Sequence, residues 1–401
     1  MIVLRDQEGI THSSVAVSVG GFLAATLLNG RSTLPEIQSA FTKATGTVLS
    51  ASEIQGLVAQ LEKADMLETT GLQEKRKKVV QDFISSKTRP AQFVGSGYPK
   101  EPLDLALHLG KYFKDPKGPQ KELPSSPVLP APPLGLISPH IDFERGGPAY
   151  AWAYQALAQS PAPDLIVALG VAHMSPNSPW VMTRKDYETP YGPMKVDASL
   201  YSDIAKSLWY DPLADEAVHR TEHSLEFQAL WLKYIWRDNT PPWVPILCSS
   251  FESYASDRAP SAIESIETAL KNIGAMLKKR RDQGQKILIL AGVDLAHVGR
   301  RFGDEMELTP EVRSRVETED KKSLELAMKL EADPFYMSVV ADGHWRKVCG
   351  LSAIYSSLRL LKGMAPDIKE GQQLTYGQAD DPMGGVVSFT SAIFPTPQSQ
   401  P

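Results

Sequence analysis

Three histidines follow short apolar runs, and this placement constrains the fold of the chain more than any other feature of the sequence. The runs lie at residues 135–138, 164–170 and 286–293, and the histidines that follow them are His140, His173 and His297. Short apolar runs bounded by Gly or Pro are typical of buried strands in a parallel sheet. In such sheets the ligand crevice lies beyond the carboxyl ends of the strands. We therefore expect the three imidazoles to converge on one site, and we interpret it as a metal site.

Helical patterns alternate with these runs after residue 134. We predict helices at residues 149–158, 198–208, 224–236, 259–280, 312–331 and 351–362. Strands that alternate with helices indicate βαβ units. The sequence thus predicts, for residues 89–396, an α/β domain with a mostly parallel central sheet flanked by helices. Its first part, residues 89–133, is rich in proline and carries one helical stretch at 102–113, so we expect a strap that lies on this domain.

The N-terminal residues 1–72 predict a small, separate domain of helices with a β edge. We predict a hairpin around a turn at residues 6–9, a helix at 15–28, and two further helices opened by capping boxes at 33–36 and 50–53. A wing at 66–71 would make this domain winged-helix-like. We predict a connecting helix at residues 73–88.

Winged-helix folds often bind DNA, but the charges in this part of the chain do not favour it. Residues 1–90 carry ten Lys and Arg against nine Asp and Glu, and the segment that would read DNA, 52–65, has Lys63 as its only base. We therefore expect this domain to dock a protein partner or to regulate, and we do not expect nucleic acid to be a partner.

The composition of the whole chain excludes several other classes of protein. A formal net charge of −5 gives no reason to expect nucleic acid or an anionic membrane surface as the main partner. No apolar run approaches the roughly 18 residues of a membrane span, and the N-terminus lacks the pattern of a signal peptide, so a cytoplasmic location is expected. The two cysteines are too few for a disulfide framework, and we expect both to be thiols.

Further residues could complete a metal site. Cys349 stands just before the helix predicted at 351–362, whose N-terminus would favour a thiolate, whereas Cys248 lies inside an apolar run and is expected to be a buried core residue. His223 and Glu226 are three residues apart at the start of a predicted helix, on one face. They could orient a ligand or relay a proton, and the alternative is an ordinary charged first turn of a helix.

Many short motifs in register carry a resemblance to a known family. The chain resembles the Memo family, also called AmmeMemoRadiSam system protein B, at residues 89–99, 138–140, 169–173, 187–192, 196–197, 222–226, 294–297 and 348–350. The resemblance covers residues 89–396 and implies a fold like that of class III extradiol (non-haem iron) dioxygenases. It implies metal ligands at His140, His173 and Cys349, with Asp294 and His297 lining the pocket. Iron- or copper-linked redox roles and phosphopeptide binding have both been attached to this family.

The chain departs from the family pattern at Asp142, in the segment that follows His140. Residues i and i+2 of an extended segment point to the same side, so Asp142 could stand beside His140 as a further ligand. That arrangement would approach the two-histidine, one-carboxylate site of Fe(II) oxygenases. The alternative is that Asp142 pairs with Arg145.

Two functional hypotheses follow. The first is a redox or O₂-linked enzyme with a mononuclear Fe or Cu ion, in which His297 is the acid–base or oxygen-positioning group. Asp294, His223 and Glu226 would support the ligands and His297. If a helical turn begins at residue 294, Asp294 could reach the His297 imidazole three residues on. The second is a non-catalytic module whose pocket binds a peptide or small ligand, with or without metal.

Overall fold

The computed structural model describes residues 1–6, 8–11 and 13–397. These residues form two compact units, with the boundary between Ser85 and Ser86. The hairpin turn predicted at residues 6–9 includes Gln7, which lies outside the described residues. In the described part of the chain, no helix has the length and apolar character needed to cross a membrane.

The first unit is a two-stranded antiparallel hairpin followed by four helices. Its strands are β1 (Ile2–Arg5) and β2 (Ser14–Val17). Its helices are α1 (Val19–Thr26), α2 (Leu34–Thr45), α3 (Ala51–Lys63) and α4 (Thr70–Ser85). Both predicted capping boxes are present, at the starts of α2 and α3. Val15 and Val17 of the hairpin pack with Leu61 of α3 in a small core.

Two predictions for this unit are wrong in detail. The helix predicted from residue 15 begins at Val19, because the β-branched residues before it pair with β1 instead. The wing predicted at 66–71 forms no strand, and the chain there turns into α4, whose Leu72 N–H bonds the Thr69 hydroxyl at 3.2 Å. The helix predicted as a connector, α4, lies within the first compact unit.

The second unit has a central sheet of eight strands. They are β4 (Gly135–Ser138), β5 (Leu165–Val171), β6 (Trp180–Met182), β8 (Trp243–Cys248), β9 (Ile287–Gly292), β10 (His297–Gly299), β11 (Gln372–Asp381) and β12 (Gly385–Phe394). Two short strands, β3 (Thr88–Arg89) and β7 (Asp186–Tyr187), pair in parallel outside this sheet. The helices are α5 (Pro102–Gly110), α6 (Phe143–Ala158), α7 (Ala198–Ala205), α8 (Ser224–Trp236), α9 (Glu252–Ala255), α10 (Glu264–Asp282), α11 (Pro310–Met328), α12 (Ala332–Val340) and α13 (Leu351–Met364).

The order of strands in the sheet is β10-β12-β4-β9-β5-β8-β6. The eighth strand, β11, lies outside this order and pairs with β12 in antiparallel fashion. The four central strands, β4, β9, β5 and β8, are parallel to one another. Strands β6 and β12 join them in antiparallel pairs. The predicted α/β class is therefore confirmed, and the sheet is mixed rather than mostly parallel because antiparallel strands extend both edges.

The parallel centre places three strand ends at one edge of the sheet, and helix α8 packs closely above them. A Cβ atom added to Gly170 in β5 would lie 2.6 Å from the side chains of Ser224 and Leu225, and one added to Gly292 in β9 would lie 2.8 Å from the Ser224 carbonyl oxygen. The two glycines therefore let the start of α8 approach the sheet at backbone distance.

The proline-rich segment belongs to the second unit. Helix α5 and the 3₁₀ turn Lys111–Phe113 bury Leu105, Leu109 and Phe113 in the same apolar cluster as residues of α6 and α8. The segment is thus packed on its domain, as its helical apolar pattern predicts.

Candidate metal centre

Three residues from distant parts of the chain meet at the carboxyl edge of the parallel strands. His140 follows β4, His173 follows β5, and Cys349 precedes α13. One nitrogen of each imidazole and the Cys349 sulfur all lie within 4.8 Å of one another. Ligands of one ion bonded at about 2.0–2.3 Å are separated by distances in this range. The structure thus brings together the three residues that the sequence predicts as metal ligands.

His140 is buried and held by the backbone. Its Nδ1 lies 3.0 Å from the Gly292 carbonyl oxygen, which can only accept a hydrogen bond, so Nδ1 carries the proton and Nε2 is left with its lone pair. Nε2 lies 3.4 Å from the Cys349 sulfur. Burial, together with the nearby charges of His173 and His223, holds the pKa of His140 well below its ordinary value. His140 is therefore a neutral imidazole with a free nitrogen aimed at the site.

His173 is held by a carboxylate. Its Nδ1 lies 3.0 Å and 3.1 Å from the two oxygens of Glu222, and its backbone N–H donates to the same carboxylate. Burial disfavours the charged imidazole, but the Glu222 carboxylate more than offsets this effect and raises the pKa of His173. A carboxylate on the far nitrogen fixes the ring and raises its basicity, as is common for metal-bound histidines.

Glu222 belongs to this site, although the sequence did not indicate it. It is buried, and although burial alone would raise its pKa, contacts with His173, His223 and the Ser224 N–H hold the pKa well below its ordinary value. With His173 and His223 it forms a second group whose ligand atoms lie within 4.8 Å of one another. The signal was its position directly before His223, at the start of a helix.

Cys349 is brought to the site by a turn that hydrogen-bonds to the segment after β9. Its N–H donates to the Leu295 carbonyl at 3.3 Å, and the Gly350 N–H donates to the Asp294 carbonyl at 3.2 Å. A Cβ at Gly350 would lie 2.6 Å from that same Asp294 oxygen, so this approach needs glycine. Burial and the Asp294 charge raise the pKa of the thiol well above its ordinary value. The N-terminus of α13, which was expected to favour the thiolate, does not offset burial and the Asp294 charge. Without a cation the sulfur therefore stays protonated.

Asp294 contacts His140, one of the predicted ligands that it was expected to support, rather than His297. Its Oδ1 accepts the His140 N–H at 3.0 Å, and its Oδ2 lies 3.6 Å from His140 Nε2. The segment after β9 is not helical, so residues three apart do not share a face there. Burial raises the pKa of Asp294 to about 7.

His297 opens strand β10 and faces the same cavity as His140. Its Nδ1 lies 3.1 Å from the Leu295 carbonyl, so this nitrogen donates and Nε2 keeps its lone pair. Burial lowers the pKa of His297 to about 4. The imidazole is therefore neutral, and its Nε2 carries no proton.

The two residues predicted at the start of α8 have separate surroundings. The ring of His223 stacks on His173 at 5.0 Å and meets His140 edge-on at 5.1 Å. Glu226 instead pairs with the buried Arg89 and accepts from the Tyr98 hydroxyl. His223 is the residue just before α8, so it does not share a helix face with Glu226. The carboxylate that contacts His173 is instead that of Glu222, the residue before His223.

Glu226 thus acts on the strap, by contacts that the sequence did not indicate. Its two oxygens accept the N–H groups of Gln92 and Phe93 at 3.0 Å and 2.9 Å. Its contribution to the site is indirect, because it holds in place the segment that carries Phe93, a residue of the cavity wall.

Asp142 is not among the candidate ligands of the described residues. It caps α6, accepts the Arg145 N–H at 3.1 Å and pairs with the Arg145 guanidinium at 2.6 Å. The hypothesis that Asp142 is a ligand is corrected, and the pairing with Arg145 is observed instead. Helix capping explains this outcome, because the residue begins a helix rather than continuing an extended segment.

A cavity of about 600 Å³ opens beside these groups. It is lined by Phe93, Ser96, Gly97, His140, Ile141, Asp142, Arg145, His173, His223, Phe227, Asp294, His297, Arg301, Phe302, Asp381 and Val387. This volume is typical of a small-molecule site, with apolar walls and a few convergent polar groups.

The fold and the site together define an α/β protein with a candidate metal centre at the carboxyl edge of its parallel strands. Comparison with known proteins gives the family. The profile of the family described as Memo-like protein matches residues 89–393, and the chain belongs to this family.

Relatives differ in how much of the chain they match. A MEMO1 family protein of Aquifex aeolicus is 26% identical and covers 98% of this chain and 95% of its own. A MEMO1 family protein of Ignicoccus hospitalis is 28% identical and covers 77% of this chain and 99% of its own. The second relative therefore has no counterpart to about a quarter of this chain. A crystal structure of an uncharacterized protein from Escherichia coli K12 is 17% identical, covers 65% of this chain and 98% of its own, and has a TM-score of 0.39.

Proposed function

We propose that this chain is a metal-dependent protein in which His140, His173 and Cys349 hold one Fe or Cu ion. The observation that carries the proposal is the state of the donor atoms. Each imidazole has its Nδ1 engaged by an acceptor, which leaves each Nε2 free, and the sulfur lies within 4.8 Å of a nitrogen of both rings. Histidines that only pack in a protein core are not expected to lie with a ring nitrogen of each within 4.8 Å of the same thiol.

The chemistry of the donor set fits Fe or Cu. Imidazoles bind Zn, Cu and Fe, and thiolate favours soft ions such as Cu(I). A bound Fe or Cu ion would supply one-electron or dioxygen chemistry to a molecule in the cavity. Because the Cys349 thiol is protonated without a cation, binding would release its proton.

The protein groups around the ion have separable tasks in this proposal. Glu222 and the Gly292 carbonyl fix the two rings. His297, neutral and on the cavity wall, accepts or delivers a proton at its Nε2. The phenyl rings of Phe93 and Phe302 limit water around a bound small molecule or peptide.

One observation favours the second hypothesis, a non-catalytic binding module. The third donor is a thiol, and the carboxylate of Asp142 is occupied by Arg145. The group of His140, His173 and Cys349 therefore lacks the carboxylate ligand of the Fe(II) oxygenases, although the neighbouring group of His173, His223 and Glu222 contains one. A copper-holding or ligand-binding protein would not need one.

The test is anaerobic purification of the full chain with metal analysis, followed by spectroscopy on adding O₂. We expect about one equivalent of Fe or Cu per chain and a spectral change with O₂. One equivalent of metal without any O₂ response would favour the binding module. Absence of metal after supplying Fe(II), Cu(I) and Zn(II) would refute the metal centre.

A further inference from the structure

The cavity beside the candidate metal centre contains two arginines with different surroundings. Arg145 pairs with Asp142 at 2.6 Å and lies 3.5 Å from Asp381. Arg301, on the same cavity, has no ion-pair partner within the described ranges of the chain. Away from the candidate metal ligands, the carboxylates of Asp142 and Asp381 thus share the guanidinium of Arg145. The guanidinium of Arg301 is available to bind an anion.

Arg301 is held on a rigid turn, which makes it suitable for recognition. The 3₁₀ turn Arg300–Phe302 follows Gly299, whose φ of +116° is left-handed and whose added Cβ would lie 2.7 Å from the Gly384 carbonyl oxygen. The Arg301 N–H donates to that same oxygen at 3.2 Å. The turn is thus fixed against β12, and its position does not depend on a ligand.

The neighbouring arginine shows that the placement of Arg301 is specific. Arg300 bonds Glu307 at 2.9 Å and is not part of the cavity wall. Successive residues of a 3₁₀ turn point about 120° apart, so the turn sends one guanidinium outward and the other toward the cavity.

The rest of the wall suits an apolar body. The Phe302 ring meets His297 edge-on at 5.0 Å, and the Phe93 ring meets His223 edge-on at 5.8 Å. Ile141 and Val387 add aliphatic surface to the same cavity. A ring placed between these groups would be buried beside two of the imidazoles of the site.

We propose that the cavity binds a small organic anion, with its apolar ring against Phe93 and Phe302 and its anionic group on Arg301. This inference rests on the proposed function for the position of the ligand beside a metal ion. The contact with Arg301 itself needs no ion, and so it can be tested separately. The anionic group is a carboxylate or a phosphate, both of which a guanidinium binds with two parallel hydrogen bonds.

The experiment compares three full-length proteins: the natural chain, Arg301→Gln and Arg300→Gln. Each is titrated with benzoate, phenyl phosphate and the neutral benzamide, with binding followed by NMR or calorimetry. Each titration is done on protein as purified and on protein treated with EDTA. Metal content is measured for every sample.

We expect at least one of the two anions to bind the natural chain, and Arg301→Gln to weaken that binding about five- to tenfold, since one charge-assisted contact is lost. Arg300→Gln should leave it unchanged, and benzamide should bind weakly and equally to all three proteins. Tighter binding of benzoate supports the carboxylate form of the proposal, and tighter binding of phenyl phosphate supports the phosphate form.

Equal effects of the two arginine substitutions, benzamide binding as tight as that of the anions, or no binding of either anion would overturn the inference. The metal measurement keeps the two proposals apart. If no preparation holds metal but Arg301→Gln alone weakens anion binding, the metal centre fails and the anion site stands. If metal content is normal in all three proteins and no anion responds to Arg301, the anion site fails alone.

Discussion

His140 and His173 each offer one ring nitrogen to the candidate metal centre but are held in opposite ways. His140 is buried, its Nδ1 is fixed by a backbone carbonyl, and its pKa is lowered. His173 has a side chain that is 38% exposed, its Nδ1 is fixed by the Glu222 carboxylate, and its pKa is raised. The fold itself orients the first ring, whereas a replaceable side chain orients the second. Substitutions can therefore separate what the backbone supplies from what one carboxylate supplies.

The largest expected effect is the loss of the ion when a donor is removed. Cys349→Ala and His140→Ala should each bind no stoichiometric metal, because a three-point site loses one of its bonds. Cys248→Ala is the matched control, since that thiol is buried in strand β8 and faces the apolar core. It should keep its metal while losing about 1 kcal/mol of stability. Metal analysis decides, and full occupancy of Cys349→Ala would remove the thiol from the donor set.

His297 sharpens the comparison because it is held like His140, by a backbone carbonyl, but lies outside the candidate ligand group among the described residues. We expect His297→Ala to keep most of its metal. Any turnover or O₂ reaction should fall by about 10²–10⁴-fold, the usual contribution of a proton-transfer group. Metal stoichiometry and reaction rate are measured on the same sample. Metal loss equal to that of His140→Ala would make His297 a ligand.

The carboxylate that holds His173 should have a smaller effect. Glu222→Gln should weaken metal binding about 10–100-fold, as is usual when the partner of a ligating histidine is replaced. Asp142 is the control carboxylate, half-buried and paired with Arg145, and Asp142→Asn should bind metal normally. A competition assay with a metal chelator gives both affinities. A stronger effect of Asp142→Asn than of Glu222→Gln would restore Asp142 as a ligand.

The smallest expected effect is a shift in pH dependence. Protons compete with the ion for Nε2 of His173, whose pKa is raised, so metal affinity should rise with pH and bend at that pKa. His140, with a lowered pKa, adds no such bend in the same range. Replacing Glu222 by Gln removes the charge that raises the pKa, so the bend should move to lower pH. Affinity measured against pH in both proteins tests this, and an unmoved bend would assign the proton to another group.

The sequence predicted the parts of this protein that depend on short-range pattern. Strand ends locate His140 and His173, and most helices of the second unit begin and end near the predicted positions, because apolar periodicity reports burial directly. The antiparallel strands β11 and β12 were not predicted, although they extend one edge of the sheet. Their pairing depends on partners far apart in sequence.

Side-chain partners were less predictable for a related reason. The rule that residues three apart share a helix face suggested that Asp294 contacts His297 and that Glu226 supports the site. Both inferences required a helix that includes both residues. The segment of Asp294 is not helical, and His223 precedes α8, so Glu222 contacts His173 and Glu226 contacts Arg89.

Gly170 and Gly292 set the distance between the sheet and the start of α8, because neither residue has a Cβ atom. Neither residue has a side chain that could bind metal or transfer a proton, yet a methyl group on either would push the start of α8 off the sheet, and Glu222 and His223 would move away with it. The two glycines thus determine how far Glu222 and His223 lie from the histidine and cysteine side chains at the sheet edge. Anyone who wishes to widen or tune this centre would begin there, by changing the distance between helix and sheet while every ligand keeps its identity.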